Sequence, residues 1–133
     1  MCSRNDKLVL VTRADLPVGM QAAQVAHALR QFVEEHAQIE REWFAQSNTL
    51  VLVKVPNEVA LSRLLERAQF FRISASAFRE PDLDGELTAL ALQPCGVTKR
   101  LTRDLPLIGG CDQACNGPLA CRPDRFEAIC RTA

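Results

Sequence analysis

Apolar and polar positions along the chain change period several times, and each change marks an element. Lys7-Leu8-Val9-Leu10-Val11-Thr12 is a short β-branched run after polar residues and predicts a buried strand. Arg13 to Gly19 reads as a loop, with Pro17 and Gly19 interrupting any periodicity. From Met20 the spacing becomes helical, and Ala22, Val25, Ala26, Leu29, Phe32 and Val33 form one apolar face. Ala22, Ala23 and Ala26 are expected to let this helix approach a sheet closely. Ala37 to Ala45 predicts a second, short helix anchored by Trp43 and Phe44. Thr49 to Val55 is apolar at nearly every position, as in a strand covered on both faces.

Asn57 is the expected N-cap of a helix whose face is Val59, Leu61, Leu64, Leu65 and Ala68. Ile73 to Phe78 alternates as a strand, Glu80 to Gly85 is a turn, and Glu86 to Leu92 returns as another strand. A short segment near Val97 to Leu105 closes the series. Alternating strands and helices predict an α/β fold: a single-domain sandwich with an about four-stranded, mixed β-sheet flanked by α-helices. The last two strands should pair antiparallel across their short turn.

Composition narrows the class. The 133 residues are 47% hydrophobic and 24% charged, with 16 Lys plus Arg against 16 Asp plus Glu. That balance excludes intrinsic disorder for most of the chain and a globally basic nucleic-acid binder. No apolar run reaches the roughly 20 residues of a membrane span. The run after Lys7 is too short for a signal-peptide core, so a cytoplasmic protein without membrane contact is expected. Residues 1–108 carry the periodic pattern. Residues 109–133 shift toward Cys, Pro and Asp and read as an irregular Cys-rich tail. Its Cys111, Cys115, Cys121 and Cys130 have C-x3-C-x5-C-x8-C spacing without a C-x2-C pair, so reduced thiols are expected and no metal or cofactor is assigned.

Chemistry has few places to sit. The sequence holds no G-x-S-x-G, H-E-x-x-H, P-loop or G-x-G-x-x-G signature. Gln24 and His27 lie three apart on one helix face. They read either as a pair that orients water and shuttles a proton or as a satisfied polar pair under a loop.

At these residues the sequence resembles a known family. Leu8-Val9-Leu10-Val11-Thr12-Arg13-Ala14-Asp15-Leu16, followed by Ala22-Ala23-Gln24-Val25-Ala26-His27-Ala28, is similar to the opening of the type II peptidyl-tRNA hydrolases. Phe78-Arg79-Glu80 and Thr88-Ala89-Leu90-Ala91-Leu92-Gln93-Pro94 resemble that family's arginine-acid corner and final strand. The likeness runs in order over about residues 7–108, a span the size of one domain.

The resemblance implies hydrolysis of the ester between a peptide and the ribose of a tRNA 3′ end. It implies Glu80, Thr88, Gln24 and His27 as the catalytic set, with Glu80 standing where the family has aspartate and Asp82 or Asp84 as substitutes. Peptidyl-tRNA, met at its acceptor end, is the implied partner, and the sequence leaves homodimer formation open. Arg13, Arg79, Lys99, Arg100 and Arg103 are the implied substrate-binding cations, expected to collect near one end of the sheet; Lys99, Arg100 and Arg103 alone also read as a solvated helix face. The chain departs from the pattern in further places: the loop after Asp15-Leu16 is about two residues shorter, the corner threonine has no counterpart in Glu80–Gly85, and the loop lysine is replaced. The family's loop reads G-K-x-A-A-Q, and here Gly19-Met20-Gln21-Ala22-Ala23-Gln24 has Met20 in place of the lysine. Methionine cannot stabilise an anion, so the alternative is a non-catalytic binding or regulatory module on the same fold.

Overall fold

Two neighbouring parallel strands cannot be joined by a hairpin and need a crossover, which this chain supplies with helices. The computed structural model describes residues 3–109. In order it contains β1 (Leu8–Arg13), α1 (Val18–Glu35), α2 (Ala37–Gln46), β2 (Leu50–Val55), α3 (Glu58–Phe70), β3 (Ala75–Glu80), a 3-10 turn (Pro81–Leu83), β4 (Glu86–Leu92) and α4 (Gly96–Thr102). Helices α1 and α2 carry the chain from β1 to the parallel strand β2, with Leu8 opposite Leu50 and Arg13 opposite Val55. The sheet order is β2-β1-β4-β3, and β4 runs antiparallel to both of its neighbours. This is the mixed four-stranded α/β sheet that the hydrophobic pattern predicts.

Strand alternation divides the core in two. Leu8, Leu10, Ala89 and Ala91 meet Val25, Ala28, Phe32 and Trp43 on the α1 face. Val9, Val11, Leu90 and Leu92 meet Leu61, Leu64 and Ala68 on the α3 face. Groups from outside the sheet bond to both of its edge strands. Along β2, the Lys54 amide donates to the Pro106 carbonyl and the Ile108 amide to the Leu52 carbonyl, each at 3.0 Å. Along β3, Gln31 Nε2 donates to the Ala77 carbonyl at 3.2 Å and His36 Nε2 lies 3.3 Å from the Ala75 carbonyl.

Several local expectations shift. Helix α1 begins at Val18, two residues before Met20, because Gly19 fits an exposed first turn with open space around it. Its buried row is Gln21, Gln24, Val25, Ala28 and Phe32, whereas Ala22, Ala23 and Ala26 are exposed. Phe32, Ala28 and Val25 set the roll of the helix, and the same stripe continued toward the N-terminus meets two glutamines. Both are satisfied, Gln21 by donating to the Leu16 carbonyl at 2.7 Å. In α2, Trp43 is buried and its Nε1 donates to the Thr49 carbonyl at 3.1 Å. Phe44, one position round the helix, is 62% exposed and anchors nothing, as is Val59 of α3 at 58%. Strand β3 starts at Ala75 and runs on to include Glu80, which the sequence pattern assigns to the turn. The tail cysteines and Cys2 lie outside the described residues.

Candidate active site

The site begins with an irregularity in β4. In the β3–β4 ladder Phe78 pairs with Ala89, and the next pair is Arg79 with Leu87, so Thr88 is an extra residue on its strand. Such a bulge keeps two successive side chains on one side of the sheet and breaks the alternation there. Ala89 belongs to the α1-side core and Leu87 to the α3-side core. Thr88 therefore turns toward α1, where regular alternation would have put it beside Leu90. Fully buried, its Oγ1 donates to Gln24 Oε1 at 2.6 Å and lies 3.4 Å from the Phe78 carbonyl.

Gln24 passes this connection on. Its Nε2 donates to Glu80 Oε2 at 2.7 Å, and the side chain is only 3% exposed. The carboxylate can only accept, so the amide has one orientation: oxygen toward Thr88, nitrogen toward Glu80. Glu80 Oε1 accepts the Asp82 amide of the 3-10 turn at 3.2 Å. These contacts hold the Glu80 carboxyl below its ordinary value, chiefly through the Gln24 N–H, then through the Asp82 amide and the nearby charge of His27. The ring of His27 stacks on Phe78, with centroids 4.7 Å apart and planes 12° from parallel. Asp84 and Gly85 then take left-handed backbone conformations, and the Gly85 amide closes on the Glu80 carbonyl at 3.0 Å. Asp82 and Asp84 are exposed, and the amide bond goes to Glu80.

Arg13 stands at the same end of the sheet on the other face. Nε and Nη2 donate to the two Asp15 oxygens, each at 2.9 Å, and Nη1 donates to Glu86 Oε2 at 2.7 Å. Glu58 Oε2 is 3.8 Å from the same Nη1, and Arg13 itself is 7% exposed. The Asp15 bond, followed by Glu86, raises the guanidinium pKa against its partial desolvation, and the same pair lowers that of Asp15. Arg79 is exposed and sits opposite Leu87, hence also on the α3 side.

The remaining cations lie elsewhere. Lys99 lines a shallow groove with Arg4, Asn5, Lys7, Ser47 and Thr49, where β1 begins. The length of β1, about 17 Å at 3.3–3.4 Å per residue, separates that place from Arg13. Arg100 and Arg103 are exposed on and just after α4, with Arg103 Nε 3.7 Å from Asp104. Gln24, Glu80, Thr88 and His27 thus come together, and the five basic residues do not form one patch.

Two residues absent from the sequence-based set lie on the α1 face at this end of the sheet. Thr12 Oγ1 donates to the Thr88 carbonyl at 2.9 Å. Lys54 is only 8% exposed, lies opposite Thr12 in the β1–β2 register, and alternates with Leu50 and Leu52 onto the α1 face. The signal for it was available: one lysine inside Leu50-Val51-Leu52-Val53-Lys54-Val55. Met20 is half-buried in the first turn of α1.

A small mixed sheet between helices, with an oriented carboxylate tethered through an amide to a buried hydroxyl, defines an α/β protein with a candidate site at that carboxylate. The chain belongs to the peptidyl-tRNA hydrolase PTH2 family, whose model matches residues 6–108. Among solved structures it is similar to a protein of unknown function from Agrobacterium tumefaciens strain C58, with TM-score 0.59 and 14% identity over 77% of this chain and 97% of that one. That likeness is one of fold. Among the described residues no helix is long and apolar enough to cross a membrane.

Proposed function

We propose that the chain hydrolyses the ester bond of peptidyl-tRNA, releasing the peptide and returning the tRNA for use in the cytoplasm. Family membership supports the substrate class, and the Thr88–Gln24–Glu80 chain of hydrogen bonds carries the assignment of the site. Glu80 stays ionised at neutral pH and is too weak a base to keep a proton. Its role is to accept a hydrogen bond from the attacking water and aim that water at the ester carbonyl carbon. Attack forms a tetrahedral oxyanion. Its collapse breaks the bond to the ribose oxygen, which leaves as a hydroxyl carrying the proton lost by the water. Thr88 is buried and already engaged, so it acts by fixing Gln24. Gln24 retains a second amide hydrogen for the reacting oxygens.

Oxyanion chemistry needs a donor or cation near the developing charge. With Met20 in the loop, we assign this role to Lys54, the lysine on the α1 face beside Thr12. His27, flat on Phe78 and adjacent to Glu80, borders the same surface. Exposed Arg79, Lys99, Arg100 and Arg103 are assigned to phosphates of the acceptor end. Arg13 is engaged with carboxylates and holds strand ends together.

Incubating the purified protein with N-acetyl-aminoacyl-tRNA tests the reading. Release of the acyl amino acid above a matched buffer control, lost in Glu80→Gln, is the expected result. No release, with tRNA binding intact, would overturn it and leave the non-catalytic binding module.

A further inference from the structure

We infer that Arg13 and Glu58 are positioning residues that clamp the β4 bulge from the face opposite the site, so that Thr88 points at Gln24. The inference rests on the proposed hydrolase reading for its kinetic part alone. A bulge leaves ladder positions whose backbone groups need other partners. The β1–β4 ladder ends at Thr12 opposite Ala89. Beyond it, three side chains do the work that the backbone of β1 does elsewhere. The Leu87 amide donates to Glu58 Oε2 at 2.7 Å, and the Leu87 carbonyl accepts from Arg13 Nη1 at 3.3 Å. Thr12 Oγ1 takes the Thr88 carbonyl at 2.9 Å.

Both backbone groups of the residue preceding Thr88 are therefore held by one ion pair. That pair is itself built in. Glu58 opens α3 directly after the N-cap Asn57, whose Oδ1 accepts the Ala60 amide at 3.0 Å. Arg13 is locked from the other side by its two-pronged contact with Asp15 and by Glu86. If the clamp opens, β4 is free to regain regular alternation. Thr88 then swings to the α3 face with Leu90, and the Gln24 oxygen loses the donor that holds the side chain in place beside Glu80. Arg13 and Glu58 touch none of Gln24, Glu80 and His27, so their influence on the site passes through Leu87 and Thr88.

The test compares Glu58→Ala with Glu58→Gln, which keeps a carbonyl acceptor for the Leu87 amide. Two quantities are read at a temperature where both variants are folded: Leu87 amide hydrogen exchange by NMR, and kcat and KM for N-acetyl-aminoacyl-tRNA. In Glu58→Ala the Leu87 amide should exchange about tenfold faster or more. Its kcat should fall about 10²-fold, the scale of a misplaced catalytic group, while KM changes by less than about twofold. Glu58→Gln should recover most of kcat. A purely structural residue would lower thermal stability in both variants and leave kcat at that temperature alone. Unchanged Leu87 protection in Glu58→Ala overturns the clamp, and a lost clamp with unchanged kcat overturns the positioning role. If wild-type protein releases no acyl group, the hydrolase reading fails separately. The clamp is then judged by Leu87 exchange and by the Thr88–Gln24 distance in a Glu58→Ala crystal structure. Should Glu58→Ala not fold, Arg13→Lys, which removes the Nη1 donor to the Leu87 carbonyl, carries the same expectations.

Discussion

The hydroxyl of Thr88 and the amide oxygen of Gln24 are 2.6 Å apart, and this bond satisfies the amide oxygen once the acceptor-only Glu80 carboxylate has claimed the Gln24 nitrogen. Removing it by Thr88→Val keeps the side-chain shape and leaves the buried Gln24 oxygen unpaired. The expected destabilisation is about 1–3 kcal/mol, the usual penalty for an orphaned buried polar group, measured by urea unfolding. A loss below a few tenths of a kcal/mol would mean that Gln24 finds another partner.

Glu80 gives the reaction a pH signature. Its folded-state carboxyl lies below the ordinary 4.5 because its ionised form accepts hydrogen bonds, first from Gln24. A depressed value means that stabilisation by this group is present above the unfolded pKa and is lost as pH falls through the folded one. The acid limb of the pH–rate profile should therefore fall below 4.5 in wild type and move upward in Gln24→Leu. An identical acid limb in the two proteins would detach Gln24 from Glu80.

Lys54 is expected to supply the charge that Met20 does not. Lys54→Met should lower kcat about 10²-fold, in the range found when one electrostatic donor is removed, and Lys54→Arg should keep part of the rate. Steady-state kinetics on N-acetyl-aminoacyl-tRNA reads both. Full activity in Lys54→Met would assign the oxyanion to another group.

Two glycines should respond in opposite directions. Gly19 sits in the first turn of α1 with nothing near a new Cβ, so Gly19→Ala should stabilise by about 0.5–1 kcal/mol. Gly85 also has open space, but its φ of +77° opposes any L side chain. Gly85→Ala should cost about 1 kcal/mol or more and loosen the turn that begins at Glu80. Thermal unfolding of both variants checks the signs.

The order of elements was legible because β-branched runs and helical spacing are strong local signals, clearest at Val9 to Thr12 and Leu50 to Val55. Gln24, Glu80 and Thr88 were legible through their family-like motifs. The bulge that unites them was not, because a one-residue change of register leaves no mark in the pattern of apolar positions. The same blindness placed Ala22 and Ala26 on the sheet: the roll of α1 depends on Phe32 packing at the far end of the helix. Lys54 was visible as the one lysine inside an apolar strand, but not the face of the sheet it takes, which depends on the β1–β2 register. Summed charge could not show that Arg13 is consumed by Asp15 and Glu86, or that Lys99 lies at the opposite end of β1. Those facts depend on strand direction and partner choice.

The central claim is that Thr88, Gln24 and Glu80 act as one unit on the ester of peptidyl-tRNA. A double-mutant cycle on kcat, using Gln24→Leu, Glu80→Gln and the pair together, tests it most directly. Linked residues should be strongly non-additive, with the double variant scarcely slower than the worse single variant. Multiplying losses, or a wild-type protein that releases no acyl group at all, would contradict the account.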